Sequence, residues 1–248
     1  MVPEIDASAV PCVTTAQMIE VDRAMIEDYG ILLIQMMENA GRHLATLARI
    51  RFFEGSPQSK KVAVLAGSGG NGGGALVCAR RLSAWGAEVE VFATHPPGSF
   101  RDVSGHQHAI VERLGVAIHT TLPSADAAFD LVVDGIIGYG LGGVPRGSAA
   151  DLIEWTRAQA ARVLSLDVPS GIDTTTGTAF VPSVVADATM TLALPKSGLL
   201  GSAVRRSVGE LYLADIGVPP QLYRAPALGL DVPHLFAEGD IVRVRLPG

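Results

Sequence analysis

Three segments of the sequence hold residues suited to chemistry, and each follows a short apolar run. The first is Gly67-Ser68-Gly69-Gly70-Asn71-Gly72-Gly73-Gly74. Glycine lets a backbone come close to a ligand, and a helix N-terminus placed after such a loop favours an anion. The stretch Gly67–Gly72 fits G-x-G-x-x-G by spacing. The next apolar run, Val91-Phe92-Ala93-Thr94, ends without the acidic residue that holds a ribose in dinucleotide dehydrogenases. No Lys-Ser/Thr pair follows the glycines, so the loop is not a P-loop. The same loop also reads as a flexible strand-to-helix turn.

The second segment is Asp134-Gly135-Ile136-Ile137-Gly138-Tyr139-Gly140-Leu141-Gly142-Gly143. A carboxylate at a strand end can hold a cation or a ribose, or it can cap a turn. The third is Asp167-Val168-Pro169-Ser170-Gly171-Ile172-Asp173. Asp167 can exchange a proton with a ligand, or it can help shape a tight turn with Pro169, Ser170 and Gly171. Asn71, Asp134 and Ser170 are hard oxygen donors. Together they suit an alkali or alkaline-earth ion rather than zinc. The six histidines are scattered, and no His/Cys cluster suggests a transition metal. Lys196, also after an apolar run, can meet a phosphate or stand exposed.

The elements that must position these residues alternate. Thr14 or Thr15 can cap a helix reaching about Tyr29, with Gly30 as its stop. A second helical pattern covers roughly 31–52 and includes Met36, Met37, Ala40, Leu44, Leu47 and Ile50; its methionine-rich face suits a core or a subunit interface. Strands are expected at 62–66, 89–92, 116–118, 131–134, 163–167, 188–194 and 210–214. Helices are expected at 73–85, 106–114 and 149–161. Short apolar strands between helices imply an α/β fold with a mostly parallel sheet covered on both faces. In such a sheet ligands bind beyond the carboxyl ends of the strands. Residues 1–219 read as one domain and 220–248 as a C-terminal tail or edge element.

Composition narrows the classes. The chain has 248 residues, a net charge of −6 and 48% hydrophobic residues. It is too apolar for a disordered chain, and its negative charge offers no general attraction for nucleic acid. The longest uncharged run, between Lys61 and Arg80, is broken by glycines, so no membrane span is expected. The N-terminus lacks a basic and apolar leader, and Cys12 and Cys78 form no disulfide framework. A cytoplasmic setting is the expectation.

Six motifs occur in order. Met37-Glu38-Asn39-Ala40-Gly41 resembles MENAG, 67–76 resembles GPGNNGGDGL, and 133–141 resembles VDALFGTGL. Then 166–173 resembles VDIPSGLD, 195–199 PKPGL, and 215–219 DIGIP. Over roughly residues 14–219 the sequence resembles the NAD(P)H-hydrate epimerase family, the YjeF N-terminal domain. The resemblance implies a Rossmann-like three-layer α/β/α sandwich with N-terminal helices, frequently a homodimer. It implies interconversion of the R and S forms of hydrated NADH and NADPH. A separate NAD(P)H-hydrate dehydratase would then act on the S form. The dehydratase domain that some members carry is not seen, so a stand-alone epimerase is expected.

Matched motif by motif, Asn71, Asp134 and Ser170 are the expected potassium ligands. Substrate contacts are expected from Gly70, Asn71, Gly72, Gly73 and Gly74, from Gly138, Tyr139, Gly140, Leu141, Gly142, Gly143 and Val144, and from Asp167. Asp167 is the expected catalytic residue and proton shuttle. Gly70 and Gly74 stand where the motif has Asn and Asp, and Tyr139 stands where it has Thr. Two other readings accompany the epimerase. One is a non-catalytic ligand- or protein-binding scaffold on this fold. The other is an epimerase-like enzyme with a different nucleotide substrate.

Overall fold

The computed structural model describes residues 2–124 and 126–246. Thr14 starts α1 (Thr15–Glu27) with a capping box: the Gln17 amide donates to its hydroxyl, and the Gln17 side chain accepts from the Thr14 amide. Met18, Val21, Ala24 and Met25 form the buried face of this helix. The chain turns at Gly30, which takes a left-handed φ of +68°. Helix α2 (Leu33–Phe52) buries Met36, Met37, Ala40, Leu44 and Leu47. Ile26 and Ile50, which share the apolar pattern, remain exposed.

The alternation then proceeds through β2 (Lys61–Ala66), α3 (Gly70–Ala84), β3 (Glu88–Ala93), α4 (Asp102–Arg113) and β4 (Ala117–His119). It continues through β5 (Leu131–Gly135), α5 (Gly147–Arg157), β6 (Arg162–Leu166), β7 (Ala188–Leu192), the short α6 (Arg205–Val208) and β8 (Glu210–Ala214). Two further strands are β1 (Glu4–Asp6) and β9 (Ile241–Arg245). The sheet order is β1-β9-β8-β7-β6-β5-β2-β3-β4. Every pairing is parallel except β8 with β9.

Alternate residues of one strand serve two layers. Val62, Val64 and Ala66 of β2 pack with Leu44, Leu47, Leu76 and Leu82 of α2 and α3. Ala63 and Leu65 face the other way, toward Ile153 and Trp155 of α5. The strands are therefore apolar on both faces, as a covered parallel sheet requires. A third cluster joins α1 to Leu211, Leu213, Val242 and Val244.

The order of strands reverses beside β2. From β2 the chain steps outward to β3 and β4, then returns on the other side at β5 and moves on to β6, β7 and β8. A crevice forms beyond the carboxyl ends where two neighbouring strands connect in opposite directions. Here the register pairs Leu65 with Asp134 and Ala66 with Gly135, so the first two chemical segments leave the sheet side by side.

Two boundaries differ from expectation in ways that matter. Helix α3 begins at Gly70 rather than Gly73, so part of the glycine run forms its first turn. Strand β7 stops at Leu192, and Ala193 takes a φ of +64°. Residues 220–246 contribute α7 (Pro220–Tyr223) and β9, which lies one place in from the edge, between β8 and β1. Leu222, Tyr223, Val242 and Val244 are buried there. Met1 and the last two residues, Pro247 and Gly248, lie outside the described residues. Among the described residues, no helix is long and apolar enough to cross a membrane.

Gly41 sets the approach of α2 to α3. A Cβ there would stand 2.4 Å from Val77 Cβ and 2.5 Å from the Gly74 carbonyl oxygen. Gly41→Ala should lower unfolding stability by about 1–3 kcal/mol through overpacking. Gly201→Ala, where a Cβ meets nothing within 4 Å, should be nearly neutral. Urea denaturation of both variants checks this; equal stabilities would contradict it.

Candidate active site

Asp167 follows directly on β6 and adopts a left-handed φ of +67°. That conformation costs a non-glycine residue on the order of 1–3 kcal/mol unless its surroundings hold it. Here they do. Its amide donates to the Met190 carbonyl at 2.7 Å, and its carboxylate accepts from the Tyr139 amide at 3.2 Å and the Thr191 hydroxyl at 3.4 Å. The Lys196 ammonium completes the set with an ion pair to Asp167 Oδ1.

Lys196 is neither exposed nor available to a phosphate. It is fully buried, and its three donors go to Asp167, to Thr191 Oγ1 at 3.2 Å and to the Leu192 carbonyl at 2.8 Å. Its segment is clamped from both sides: Val13 donates to the Pro195 carbonyl and Ser197 donates to the Val13 carbonyl, each at 2.9 Å.

Asp134 lies at the end of β5, fully buried. Its Oδ1 accepts from Ser170 Oγ at 2.6 Å and from the Ile136 amide at 3.3 Å. Its Oδ2 accepts from Ser165 Oγ at 2.8 Å and from the Ser170 amide at 2.9 Å. Among the described residues, no cationic side chain pairs with it. Burial pushes this carboxyl above the ordinary range, against the opposing pull of the Ser170, Ser165 and Ile136 donors. Ser170 Oγ also accepts from the Ile137 amide at 2.9 Å, which joins the second and third segments.

The first segment packs onto the second. A Cβ on Gly67 would stand 2.0 Å from the Ile136 carbonyl oxygen, so only glycine permits this approach. Asn71 lies beside Gly138, where a Cβ would stand 3.1 Å from the Asn71 Cγ and Oδ1 atoms. Among the described residues, the buried Asn71 Nδ2 has no hydrogen-bond partner. Asp134 and Ser170 are thus directly bonded, and Asn71 meets the same turn through Gly138.

These segments border a cavity of about 500 Å³, a size suited to a small-molecule ligand. Gly70, Asn71, Gly74, Gly138, Tyr139, Gly140 and Asp167 line it. Gly72 and Gly73 instead face protein: a Cβ would meet the Gly67 carbonyl oxygen at 1.7 Å on the former and Met37 at 2.6 Å on the latter. Leu141, Gly142, Gly143 and Val144 do not border the cavity. Methionines 18, 36 and 37 supply much of its apolar wall.

Two charged residues of the cavity receive no site role from the motif matches. One is Lys196. The other is Asp22 of α1, whose carboxylate accepts from the Tyr139 hydroxyl. The signal for Asp22 was a carboxylate one turn after Met18, close to the apolar stripe of a helix. Burial raises the Asp22 carboxyl, while the Tyr139 hydrogen bond and the Lys196 charge oppose that rise. Glu38 of the MENAG-like segment plays a different part. It accepts from Arg80 at 2.6 Å and Gln107 at 3.0 Å, which ties α2 to α3 and α4.

Removing one partner of a buried ion pair leaves the other charge uncompensated. Lys196→Met should therefore lower stability by about 3–5 kcal/mol. Adding Asp167→Asn to that variant should recover part of the loss. Chemical denaturation of the single and double variants tests the coupling; strictly additive losses would contradict it.

Comparison with known proteins places this geometry in a family. The family model described as YjeF-related protein N-terminus matches residues 33–198. An NAD(P)H-hydrate epimerase of Dehalogenimonas lykanthroporepellens is 40% identical over 96% of this chain and 95% of its own. An NAD(P)H-hydrate epimerase of Pirellula staleyi is 36% identical over 82% of this chain and 90% of its own. A bifunctional NAD(P)H-hydrate repair enzyme of Moorella thermoacetica is 36% identical over 85% of this chain, which spans 41% of that longer protein. The crystal structure of the yeast protein ynu0 superposes with a TM-score of 0.78, covering 94% of this chain and all of that one at 24% identity, and so shares the fold. With the family model spanning most of the chain and relatives matching nearly all of it, this protein belongs to the YjeF-related N-terminal family.

Proposed function

We propose that this protein is an isomerase that interconverts the R and S forms of hydrated NADH and NADPH. The observation that carries the reading is the Asp167 carboxylate, held by Lys196 on the wall of a cavity at the strand-order reversal. The names of the relatives support the substrate class.

The hydrate carries a hydroxyl on C6, beside the ring nitrogen. Nitrogen helps that carbon–oxygen bond break, and re-addition on the other face inverts the centre. Asp167 moves the proton to or from this oxygen. Lys196 keeps the carboxylate in place and compensates its charge. The N-terminus of α3 accepts the pyrophosphate, where Gly69 and Gly70 leave open space.

The residues present fit potassium. Asn71, Asp134 and Ser170 offer hard oxygens, and the buried Asp134 charge lacks a cationic partner among the described residues. A potassium ion held by these residues would offset the Asp134 charge and brace the loops around it. The oxygen donors lie beside the substrate cavity, so this role is electrostatic and structural.

The S form would pass to a separate dehydratase, a pairing supported by the bifunctional relatives. The exposed Ile19, Tyr29 and Leu32 of the N-terminal region support a homodimer. Cys12 and Cys78 are both free, in keeping with a reducing, cytoplasmic setting. One observation favours a second reading. Glycine at position 74 leaves the cavity wall without the carboxylate of the family motif, which suits an epimerase-like enzyme with a related but different nucleotide.

The test is conversion of resolved R hydrate to S hydrate, followed by chromatography against an enzyme-free blank. The wild type should accelerate equilibration. Asp167→Asn should reduce kcat by about 10²-fold or more while retaining binding. No acceleration by the wild type would reject the proposal, and full activity of the variant would remove Asp167 from its role.

Potassium is tested by stability. The folded Asp134 carboxyl has a raised pKa, so the folded state holds that proton more tightly than the unfolded state. Without potassium, its contribution to stability therefore falls as pH rises above the ordinary carboxylate range. Potassium should raise the melting temperature more at pH about 7 than at pH about 4, and Asp134→Asn should remove that difference. An equal potassium effect at both pH values would exclude Asp134 as a ligand.

A further inference from the structure

Inverting a carbon that bears a hydroxyl requires proton transfer on two faces of the ring. Asp167 serves one. The cavity holds a second carboxylate, Asp22, which that scheme leaves without a task. Tyr139 touches both: its hydroxyl donates to Asp22 Oδ2, and its amide donates to Asp167 Oδ2 at 3.2 Å. Tyr139, Asp22, Asp167 and Lys196 all border the same cavity. Asp22 makes no ion pair among the described residues. A carboxylate this close to the apolar stripe of a helix costs stability, and an aliphatic residue would serve packing better.

We propose that Tyr139 and Asp22 form a second proton-transfer arm, in which the Tyr139 hydroxyl is catalytic at the C6 oxygen and Asp22 is the positioning residue that supplies and recovers its proton. This inference rests on the epimerase reading. In one direction, protonated Asp22 gives its proton to the Tyr139 oxygen while Tyr139 passes its own to the departing hydroxyl. The C6–O bond breaks with its electron pair on oxygen, and water leaves. The N1 lone pair forms the N1–C6 double bond. A second water adds to C6 from the other face, the electron pair returns to N1, and Asp167 accepts the proton released by that water. The opposite direction reverses the roles. Between turnovers the proton returns from one carboxylate to the other through water.

The surroundings of Asp22 suit this task. Tyr139 faces it from the loop after β5, Asp167 from the end of β6, Lys196 from beyond β7, and Tyr223 from α7. Burial raises the Asp22 carboxyl and also the Tyr139 hydroxyl, which favours the protonated form of each. Asp167, by contrast, has the Lys196 ammonium against it. Two carboxylates in contrasting surroundings make an acid and a base.

The test uses the full chain with hydrated NADH of one configuration. Wild type, Tyr139→Phe, Asp22→Asn and Asp22→Glu are compared for kcat and KM across pH, with melting temperatures to establish folding. Tyr139→Phe and Asp22→Asn should lower kcat by about 10²-fold with KM within about twofold of wild type. The wild-type pH profile should be bell-shaped. Asp22→Asn should lose the high-pH limb, and Asp22→Glu should restore part of kcat with that limb displaced. In water enriched in oxygen-18, each wild-type turnover should introduce one solvent oxygen at C6. Unchanged kcat in both variants, a change confined to KM, or retention of the original oxygen would each overturn this arm. A wild type without any acceleration would instead reject the epimerase reading beneath it.

Discussion

The buried pair of Lys196 and Asp167 determines how the carboxyl ends of the strands are arranged. Two charges removed from water must satisfy each other and every remaining donor. Lys196 does so by reaching Thr191 and Leu192 at the end of β7 as well as Asp167 at the end of β6. Its own segment is held by Val13, just before α1. The pair therefore binds two strand ends to the entry of the first helix. It also accounts for the left-handed backbone at Asp167, which the contacts hold in place. In this position the carboxylate faces a cavity while remaining almost wholly buried.

A second carboxylate organises the neighbouring loops by a different means. Among the described residues Asp134 has no cationic side chain beside it, and it is met by four hydrogen bonds, two of them from Ser170. Those bonds draw the turn after β6 onto the turn after β5. The glycine loop completes the arrangement because its backbone can come nearer than any side chain would allow. Gly67 lies under the Ile136 carbonyl, and Asn71 is brought beside Gly138. Asp167 and Ser170 thus share one turn, which joins the carboxylate on the cavity wall to the Asp134 network.

Much of this was legible in the sequence. Apolar runs ending in Asp134 and Asp167 located the strand ends, and the glycine spacing located the turn into α3. The α/β alternation follows from the same runs. Lys196 was harder, because a lysine after a strand is ordinarily solvated. Only the fold shows that three acceptors converge on its ammonium. Asp22 was hidden by its helix, since a single carboxylate on α1 looks like a surface residue until Tyr139 is brought to it from 117 positions away. Strand β9 was missed because the preceding residues are rich in proline and irregular, although Ile241, Val242 and Val244 fill the core. Its place depends on pairing with β8 and β1, contacts that no local pattern specifies.

The central claim is that the reacting carbon sits against Asp167 inside the cavity. A crystal structure of the protein with hydrated NADPH bound tests this most directly. The account predicts C6 against Asp167, with the hydroxyl of one epimer within hydrogen-bond reach of its carboxylate, and the pyrophosphate at the N-terminus of α3. A nicotinamide ring lying outside the cavity, or a pyrophosphate bound away from the glycine loop, would contradict it.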